Sequence, residues 1–345
     1  MTPLFDTNGR TPMAPIFEAL QGPVRMAILK AAVEMDMADI LARVSTPEEI
    51  AAILPGETDL PNLTHFLDSM TGIGLAVKHE GRYLNSPFAE ASLRRKSPVY
   101  LGDMVLNLSR MQHRNIHRIE ELVHAGPPPV KKEDRLANES KWQASVKHLA
   151  PYQRAGIAAL AADTIDALPE CESASKIMDI GCGPGLMCME VLKRHPAMQG
   201  VLCDLPAIIG LAKKEVEKEG LESRISYIKG DYNTTDFGDG YDIIWASHNL
   251  YYVKEAPAFF ERLHTALNNG GVFVSLHEGT TGEGTAPEHV VLSRLSLALE
   301  GQNYVFAKGE IAEHLRRAGF DSVKTSPLTL PVGEVELTIA RKQKG

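Results

Sequence analysis

The segment Asp179-Ile180-Gly181-Cys182-Gly183-Pro184-Gly185 decides how the carboxyl-terminal half of this chain folds. Residues 176–178 before it are typical of the end of a strand, and residues 186–192 after it are typical of the start of a helix. A strand, a glycine turn and a helix together predict a nucleotide-binding corner. Leu186 stands where a dinucleotide fingerprint has its third glycine. The segment therefore favours a nucleoside ligand that has no pyrophosphate.

S-adenosylmethionine (SAM) is a ligand of that kind, because it has a sulfonium, an amine and a carboxylate but no phosphate. The glycines let the backbone approach a ligand closely. We expect Asp179 to organise the turn and to face the cationic end of the ligand. A glycine loop alone is weak evidence, so the prediction depends on the rest of the chain.

Composition limits the classes of protein to which the chain can belong. Its 345 residues are 44% hydrophobic and 23% charged, which is ordinary for a globular protein and long enough for two domains. The net charge of -8 argues against nucleic acid as a partner. There is no apolar run long enough to span a membrane and no recognisable signal peptide in residues 1–6, so we expect a cytoplasmic protein.

The four cysteines indicate reduced, buried thiols rather than a metal site. They are Cys171, Cys182, Cys188 and Cys203, and their spacings do not include C-x-x-C. They are not accompanied by a histidine cluster in the sequence. We therefore predict that the protein binds no metal.

The first domain is predicted to span residues 1–100 and to consist of helices with one small hairpin. Residues 74–78 and 82–84 flank the turn His79-Glu80-Gly81, and helices followed by such a hairpin suggest a winged helix. This stretch has nine Lys and Arg against twelve Asp and Glu, whereas a DNA-binding domain should have a basic face. The first domain is therefore expected to serve dimerisation or to cover a pocket.

The remaining chain is predicted to form linking helices and then an α/β domain. We expect linking helices within residues 101–170 and the second domain over 171–345. In that domain strands and helices alternate, as in a doubly wound parallel sheet. The seven predicted strands are 176–180, 200–203, 225–229, 241–246, 271–277, 321–326 and 334–341.

Acidic residues follow two of these strands. Asp204 ends the second strand about 20 residues beyond the glycine loop, where an acid can accept both hydroxyls of a ribose. It could instead cap the helix that begins near Pro206. Asp231 follows the third strand and could receive an adenine amino group, while Tyr232 could cover the ring; the alternative is a surface turn. Several such strand ends together are more specific than any one of them.

With these motifs the chain resembles the SAM-dependent small-molecule O-methyltransferases of the acetylserotonin and plant-phenolic type. The resemblance covers nearly the whole chain and includes Ala266-Leu267-Asn268-Asn269-Gly270-Gly271 before the fifth strand. It implies a class I methyltransferase fold with an N-terminal winged-helix dimerisation domain, SAM as cofactor and a homodimer. The cofactor-binding residues are then expected to be Asp179, Gly181, Gly183, Gly185, Asp204, Leu205, Gly230, Asp231, Tyr232 and Ser247.

The chain departs from that family at the catalytic base. The family has Leu-His-Asp-Trp after the fourth strand, and its histidine removes the proton from the acceptor hydroxyl. The matching segment here is Leu250-Tyr251-Tyr252-Val253, so Tyr251 stands at the histidine position. Tyrosine titrates near pH 10 and is a poor base at neutral pH. His248 or His277 could act as the base from another direction.

Alternatively the acceptor needs no base. A thioether sulfur has no proton to lose, so alignment and exclusion of water would be enough. The resemblance extends to the S-methyltransferases that act on 4-methylthio-2-hydroxybutyrate in dimethylsulfoniopropionate synthesis. Tyr251 would then position the acceptor.

Side chains on the linking helices are expected to contact the acceptor. These candidates, together with Tyr252 after the fourth strand, are Trp142, Tyr152, Gln153 and Arg154. The sequence thus predicts a methyltransferase that acts on an oxygen or a sulfur of a small molecule. A non-catalytic regulator that binds SAM, and a protein or RNA methyltransferase, are the alternatives.

Overall fold

The computed structural model describes residues 14–127, 139–302 and 305–344. The chain divides into two compact units, the first ending at Leu106 and the second beginning at Asn107. Residues 1–6, on which the signal-peptide prediction depends, lie outside the described part. The division into three segments, with boundaries at residues 100 and 170, stays a prediction.

The first unit is helical, with one hairpin. The hairpin pairs β1 (Ala76–His79) with β2 (Arg82–Asn85) in antiparallel register, as predicted. Buried apolar side chains including Met37, Leu67 and Tyr83 form its core. Its helices are α1 (Ala14–Glu34), α2 (Met37–Leu41), α3 (Pro47–Ala51), α4 (Leu60–Gly72) and α5 (Pro87–Ser92), followed by α6 (Gly102–His113), which crosses into the second unit.

The second unit contains a seven-stranded sheet in the order β10-β11-β7-β6-β3-β4-β5. The strands β3 to β7 are parallel, and the carboxyl-terminal hairpin adds β11 antiparallel to β7. The seven strands of this sheet agree with the predicted ones to within a few residues. They are β3 (Lys176–Ile180), β4 (Gln199–Asp204), β5 (Ile225–Lys229), β6 (Tyr241–Ser247), β7 (Leu267–His277), β10 (Ser322–Leu330) and β11 (Gly333–Arg341). A short pair, β8 (Gly279–Thr280) and β9 (Phe306–Ala307), was not predicted.

Helices cover both faces of this sheet, and the sheet separates two apolar cores. One core contains Ile177, Leu202 and Ile243, and the other contains Met178, Cys203 and Ile244, so successive side chains of each strand enter opposite cores. The helices are α7 (Ile119–Ala125), α8 (Glu139–Val146), α9 (Leu149–Tyr152), α10 (Ala158–Asp166), α11 (Leu186–Arg194), α12 (Pro206–Glu219), α13 (Ala256–Ala266), α14 (Glu288–Ala298) and α15 (Glu310–Arg317).

The linking helices are more broken than the sequence predicts. The sequence of residues 99–123 predicts one long helix, but α6 ends at His113 and α7 begins at Ile119. Asn115 lies in this break, and its buried amide donates to the carbonyl of Ser296 at 3.0 Å. That bond ties the break between α6 and α7 to α14.

The order of the strands reverses at β3, which lies between β4 and β6. In open α/β sheets the ligand crevice lies outside the carboxyl ends of the strands at such a reversal. The ends of β3, β4, β6 and β7 therefore define where a functional site is to be sought.

Candidate functional site

The turn after β3 has the backbone shape that the sequence predicted. Gly181, Gly183 and Gly185 have φ values of 60°, 56° and 78°, in the left-handed region that favours glycine. A Cβ added to Gly185 would lie 2.7 Å from a methyl carbon of Leu202. Other residues would therefore strain the turn or push it away from β4.

Two carboxyl groups flank this turn. Asp204 accepts hydrogen bonds from the backbone N–H of Gly183 at 2.9 Å and of Leu205 at 2.7 Å. Burial raises the pKa of Asp204 to about 6, against these two hydrogen bonds, which lower it. Asp204 makes no capping bond to α12, whose N-cap is Leu205, so the capping alternative does not hold.

Asp179 lies deeper, at the end of β3, and is 1% exposed. Burial and then the negative charge of Asp204 raise the pKa of Asp179 to about 8. Its Oδ2 atom finds no hydrogen-bond partner among the described residues. A buried carboxyl pair with an unsatisfied oxygen is well suited to a ligand that brings hydroxyl donors and positive charge.

The segment after β5 forms a structured turn. Asp231 accepts hydrogen bonds from the backbone and the side chain of Asn233, at 2.9 and 2.8 Å, and its Oδ2 atom lies 3.4 Å from Nζ of Lys254. Burial would raise the pKa of Asp231, but these partners hold it below its usual value. Tyr232 donates to the carbonyl of Asn249 at 2.7 Å, so its hydroxyl ties this turn to the segment after β6.

These observations support the fit of SAM to the turn. The acids could hold the ribose hydroxyls and the cationic groups of the cofactor, and the left-handed glycines allow close backbone approach. The hydroxyl of buried Ser247, at the end of β6, likewise has no partner in the described part of the chain. The donor set of this chain therefore suits SAM.

The segment after β6 packs directly on the glycine turn. The side-chain amide of Asn249 donates to the carbonyl of Ile180, and a Cβ on Gly181 would collide with that amide. His248, just before it, has a left-handed φ of 52°, which is uncommon outside glycine and costs of the order of 1 kcal/mol. The ends of β3 and β6 therefore form one continuous wall.

His277 holds this segment in place. Its Nε2 atom accepts hydrogen bonds from the backbone N–H of Asn249 at 3.1 Å and of Leu250 at 3.0 Å. The ring is 1% exposed, and burial together with the nearby His248 and Arg294 lowers its pKa well below the usual value. Because its lone pair is already used, His277 is a positioning residue here. The geometry thus corrects the prediction of His277 as an alternative base.

His248 forms a pair with a carboxylate. Its Nδ1 atom lies 3.1 Å from Oε2 of Glu278, the residue that follows His277 on the chain. Burial would raise the pKa of Glu278, but the hydrogen bond with His248 and the charges of His248 and Arg294 hold it at about 2. The imidazole is 31% exposed, so Nε2 can meet a ligand. A histidine oriented by a carboxylate is a common arrangement for a general base.

Tyr251 contacts Glu278, the carboxylate residue of this pair. Its hydroxyl accepts a hydrogen bond from the backbone N–H of Glu278 at 3.2 Å, and its ring lies edge-on to His277 with centroids 5.2 Å apart. The guanidinium of Arg294, on α14, covers the Tyr251 ring at 4.5 Å. The structure thus places Tyr251 beside the candidate base.

The linking helices bring two of the predicted acceptor contacts to this place. Trp142 on α8 meets the ring of Tyr252 edge-on with centroids 4.9 Å apart. Burial and the charge of Glu278 raise the pKa of Tyr152, which therefore lies within electrostatic reach of that carboxylate. Gln153 is buried, and its Oε1 atom has no partner within the described ranges.

Arg154 is not brought to this cluster. Its guanidinium pairs with Glu215 and Glu219 on α12. The prediction that it contacts the acceptor is therefore not supported by its position, because two carboxylates already bind its donors.

Potential metal ligands meet at the opposite end of the sheet. Asp166, Cys171 and His195 offer ligand atoms within 4.8 Å of one another, close to where β3 and β4 begin. His195 and Arg194 already bind the Asp166 carboxylate, at 2.6 and 2.8 Å. The prediction of a protein without a metal stays a prediction.

Comparison with known proteins supports the class that the site indicates. Residues 177–271 match the family model described as a methyltransferase domain. The chain is 29% identical over 331 residues to the N,N-dimethyltransferase OxyT of Streptomyces rimosus, covering 90% of this chain and 93% of that protein. It is 26% identical to the 3-hydroxy-5-methyl-1-naphthoate 3-O-methyltransferase of Streptomyces sahachiroi, covering 88% of each.

Solved structures share the fold. A putative O-methyltransferase from Nostoc punctiforme matches with a TM-score of 0.78 and 20% identity, covering 96% of this chain and all of that one. Human N-acetylserotonin methyltransferase in complex with SAM matches with a TM-score of 0.78 and 16% identity, covering 99% of this chain and all of that one.

The fold and the site together define a class I methyltransferase with an N-terminal helical domain. The chain is a SAM-dependent enzyme that methylates small molecules, and the resemblance to the acetylserotonin and phenolic O-methyltransferases is confirmed. The described part of the chain contains no helix that is both long and apolar enough to cross a membrane. The cytoplasmic location stays a prediction.

Sequence analysis missed two charged members of the site. Glu278 immediately follows His277, and its proximity to a strand end was the available signal. Arg294 comes from α14, which has no motif, so the sequence offered no signal for it.

Proposed function

We propose that the enzyme methylates a hydroxyl oxygen of its small-molecule acceptor and that His248 is the general base. The observation that supports this most is the 3.1 Å contact between Nδ1 of His248 and Glu278. It leaves Nε2 to accept a proton and provides a carboxylate to stabilise the imidazolium that forms. The family position for the base holds Tyr251, so the base would approach from three residues earlier.

In this proposal the cofactor supplies the electrophilic methyl group when it is bound. His248 takes the acceptor proton, Glu278 fixes the imidazole, and Tyr251 forms a wall against which the acceptor is aligned. Trp142, Tyr152 and Tyr252 line the acceptor side. Burial of this cluster excludes water, which strengthens the interaction between Glu278 and the imidazolium.

The proposed cofactor site uses the left-handed turn and the strand ends. Asp204 and its neighbour Leu205 would hold the ribose, and Asp179 would face the cationic groups. The turn after β5, with Gly230, Asp231 and Tyr232, would border the adenine. The three glycines of the turn and Ser247 would complete the contacts.

Product analysis tests the acceptor atom. The enzyme is incubated with labelled SAM and a panel of hydroxyl, thiol and thioether acids, and the products are identified by mass spectrometry. We expect O-methylated products. If the only products are sulfonium compounds, the acceptor atom is a thioether sulfur and the proposal of O-methylation is wrong.

The pH dependence of kcat/KM tests the base. We expect kcat/KM to fall at acidic pH, because a general base must be unprotonated to accept the acceptor proton. His248→Ala should remove this limb and lower kcat by about 10²- to 10⁴-fold. His65→Ala, an exposed histidine on α4, is the control and should change neither. A flat profile for the unaltered enzyme would contradict the base.

We also propose a homodimer formed through the winged-helix-like first unit. One face of α1 exposes Phe17, Leu20 and Val24, which are 59%, 65% and 58% exposed. An apolar stripe of this kind usually marks an interaction surface. Light scattering should find a dimer, and Leu20→Glu should give a monomer that still binds SAM. Glu34→Gln on the same helix is the control. A monomeric unaltered protein would overturn this assembly.

A further inference from the structure

The proposed function leaves open the role of Arg294, a charged residue that contacts Tyr251 and Glu278. It lies on α14, and its side chain is 19% exposed. Its guanidinium covers the Tyr251 ring at 4.5 Å. A contact between a cation and an aromatic face uses no hydrogen-bond donor in the ordinary sense, so the N–H groups of Arg294 are left for other partners.

The edges of this guanidinium are not used by the described part of the chain. The nearest carboxylate oxygen is Oε2 of Glu278, at 3.7 Å from Nη2 of Arg294. That distance is an ion pair but is too long for a hydrogen bond. Within the described ranges Arg294 makes no hydrogen bond, although it has five N–H donors. The side chain is 19% exposed, and its nitrogen atoms are not among the fully buried atoms of the described residues, so a ligand can reach these donors.

Glu278 does not need Arg294 as its main partner. The carboxylate already bonds His248 at 3.1 Å, and that bond lowers its pKa more than the charge of Arg294 does. The ion pair with Glu278 orients the guanidinium beside the candidate base but does not saturate it. The acceptor is therefore the natural source of a further partner.

The balance of charge indicates what that partner is. Once the methyl group has been transferred, the acceptor oxygen is a neutral ether and its proton is on His248, so the imidazolium and Arg294 face the single negative charge of Glu278. A second carboxylate, brought by the acceptor, would neutralise the remaining positive charge. A neutral acceptor would leave one buried charge uncompensated, which is unfavourable at low dielectric.

We propose that Arg294 binds a carboxylate of the acceptor, so that the substrate class is a hydroxy acid whose carboxylate lies beside Tyr251. This assignment rests on the proposed function, because it places the acceptor hydroxyl at His248. Arginine binds carboxylates with two parallel hydrogen bonds, which fixes orientation as well as affinity. Arg294 is thus a specificity-determining residue.

A binding experiment tests this assignment without turnover. The enzyme is saturated with S-adenosylhomocysteine and titrated by calorimetry with hydroxybenzoates, hydroxynaphthoates and 2-hydroxy carboxylic acids, each paired with its primary amide. We expect at least one acid to bind more than tenfold more tightly than its amide. Arg294→Gln should weaken that acid by about 10- to 100-fold and leave the amide unchanged.

Two further variants keep the test decisive. Arg317→Gln removes an exposed arginine that pairs with Glu313 on α15 and should preserve the preference for the acid. Arg294→Lys keeps the charge but not the fork, and it should weaken the acid by less than Arg294→Gln does. If Arg294→Gln does not fold, which a loss of affinity for S-adenosylhomocysteine would show, Arg294→Lys replaces it as the test variant.

The outcomes separate this proposal from the proposed function. A panel in which no acid binds more tightly than its amide, including one in which nothing binds, overturns the carboxylate assignment. Equal loss of acid and amide affinity in Arg294→Gln also overturns it and makes Arg294 a positioning residue for Glu278. Tight, Arg294-dependent binding of an acid that is never methylated would instead refute O-methylation and leave the carboxylate site standing.

Discussion

The proposed cofactor side and the proposed acceptor side of this enzyme are built in different ways. The cofactor side consists of backbone turns and acids at the ends of β3 and β4, close together in sequence. The proposed acceptor side brings together His248 and Glu278, which follow β6 and β7, and Arg294 from α14. The first is therefore encoded in a local motif and the second in tertiary contacts. Substitutions should separate the two sides, one changing affinity for SAM and the other turnover.

Apart from the loss of the proposed base itself, Glu278→Gln is expected to produce the largest effect, and it should act on the acceptor side alone. The amide cannot stabilise an imidazolium as the carboxylate does, so kcat should fall by about 10²- to 10³-fold. Steady-state kinetics measures this, and the affinity for SAM should not change. Glu334→Gln, at an exposed ion pair with Lys308, should behave as the unaltered enzyme. A variant that loses affinity for SAM instead would break the separation of the two sides.

Asp204→Ala is the counterpart on the cofactor side. Two hydrogen bonds from ribose hydroxyls to a carboxylate should be lost, so SAM should bind about 100-fold more weakly in calorimetry. The acceptor should still bind once the cofactor is at saturating concentration. Unchanged affinity for SAM would exclude the ribose role of Asp204.

The pH dependence of SAM binding should expose the buried acid pair. Burial raises the pKa of Asp204 to about 6 and that of Asp179 to about 8, so the cofactor-free protein holds protons that an unfolded chain would release. The cationic cofactor prefers the ionised carboxylates. Its affinity should therefore rise at least about tenfold between pH 5 and 7, through the pKa of Asp204, and continue to rise to about pH 9, through that of Asp179.

S-adenosylhomocysteine is the control for this prediction. It lacks the sulfonium charge, so its affinity should rise less steeply with pH than that of SAM. Parallel curves for the two ligands would show that Asp179 does not sense the sulfonium.

Tyr232→Phe should have the smallest effect, and it should change the binding of the cofactor and of the acceptor to a similar extent. Its hydroxyl bonds the carbonyl of Asn249 at 2.7 Å and so links the turn after β5 to the acceptor segment. Loss of one hydrogen bond should cost about 1 kcal/mol of unfolding free energy. Thermal unfolding measures this cost, and we expect a few-fold change in both SAM affinity and acceptor KM.

Tyr227→Phe is the matched control for this substitution. The Tyr227 hydroxyl has no hydrogen bond to any described residue, and its ring lies under Lys213. It should be nearly neutral. An effect of Tyr232→Phe on one ligand only would contradict the link between the two sides.

The sequence was sufficient for the sheet and the cofactor turn because both depend on local patterns. Alternating apolar strands and helices predicted β3 to β7 closely, and Gly181 and Gly185 have the conformation that only glycine adopts readily. His277 could not be assigned, because its role depends on two backbone amides some 28 residues away in sequence. The position of Arg294 could not be predicted for the same reason, since only tertiary packing places it over Tyr251.

The contact of Asn249 with the glycine turn has a consequence for how this enzyme can change. A side chain at Gly181 would displace Asn249, and the Asn249 amide holds the end of β3, so these two positions must vary together. Substitutions in α14 and in the linking helices can change the acceptor preference without disturbing the contact between Asn249 and Gly181. A saturation library selected for SAM binding should therefore tolerate few residues at 181 and 249 but many at 294, where substitutions change only the acceptor that is bound. Engineering of this enzyme for new acceptors should therefore begin at positions away from Gly181 and Asn249.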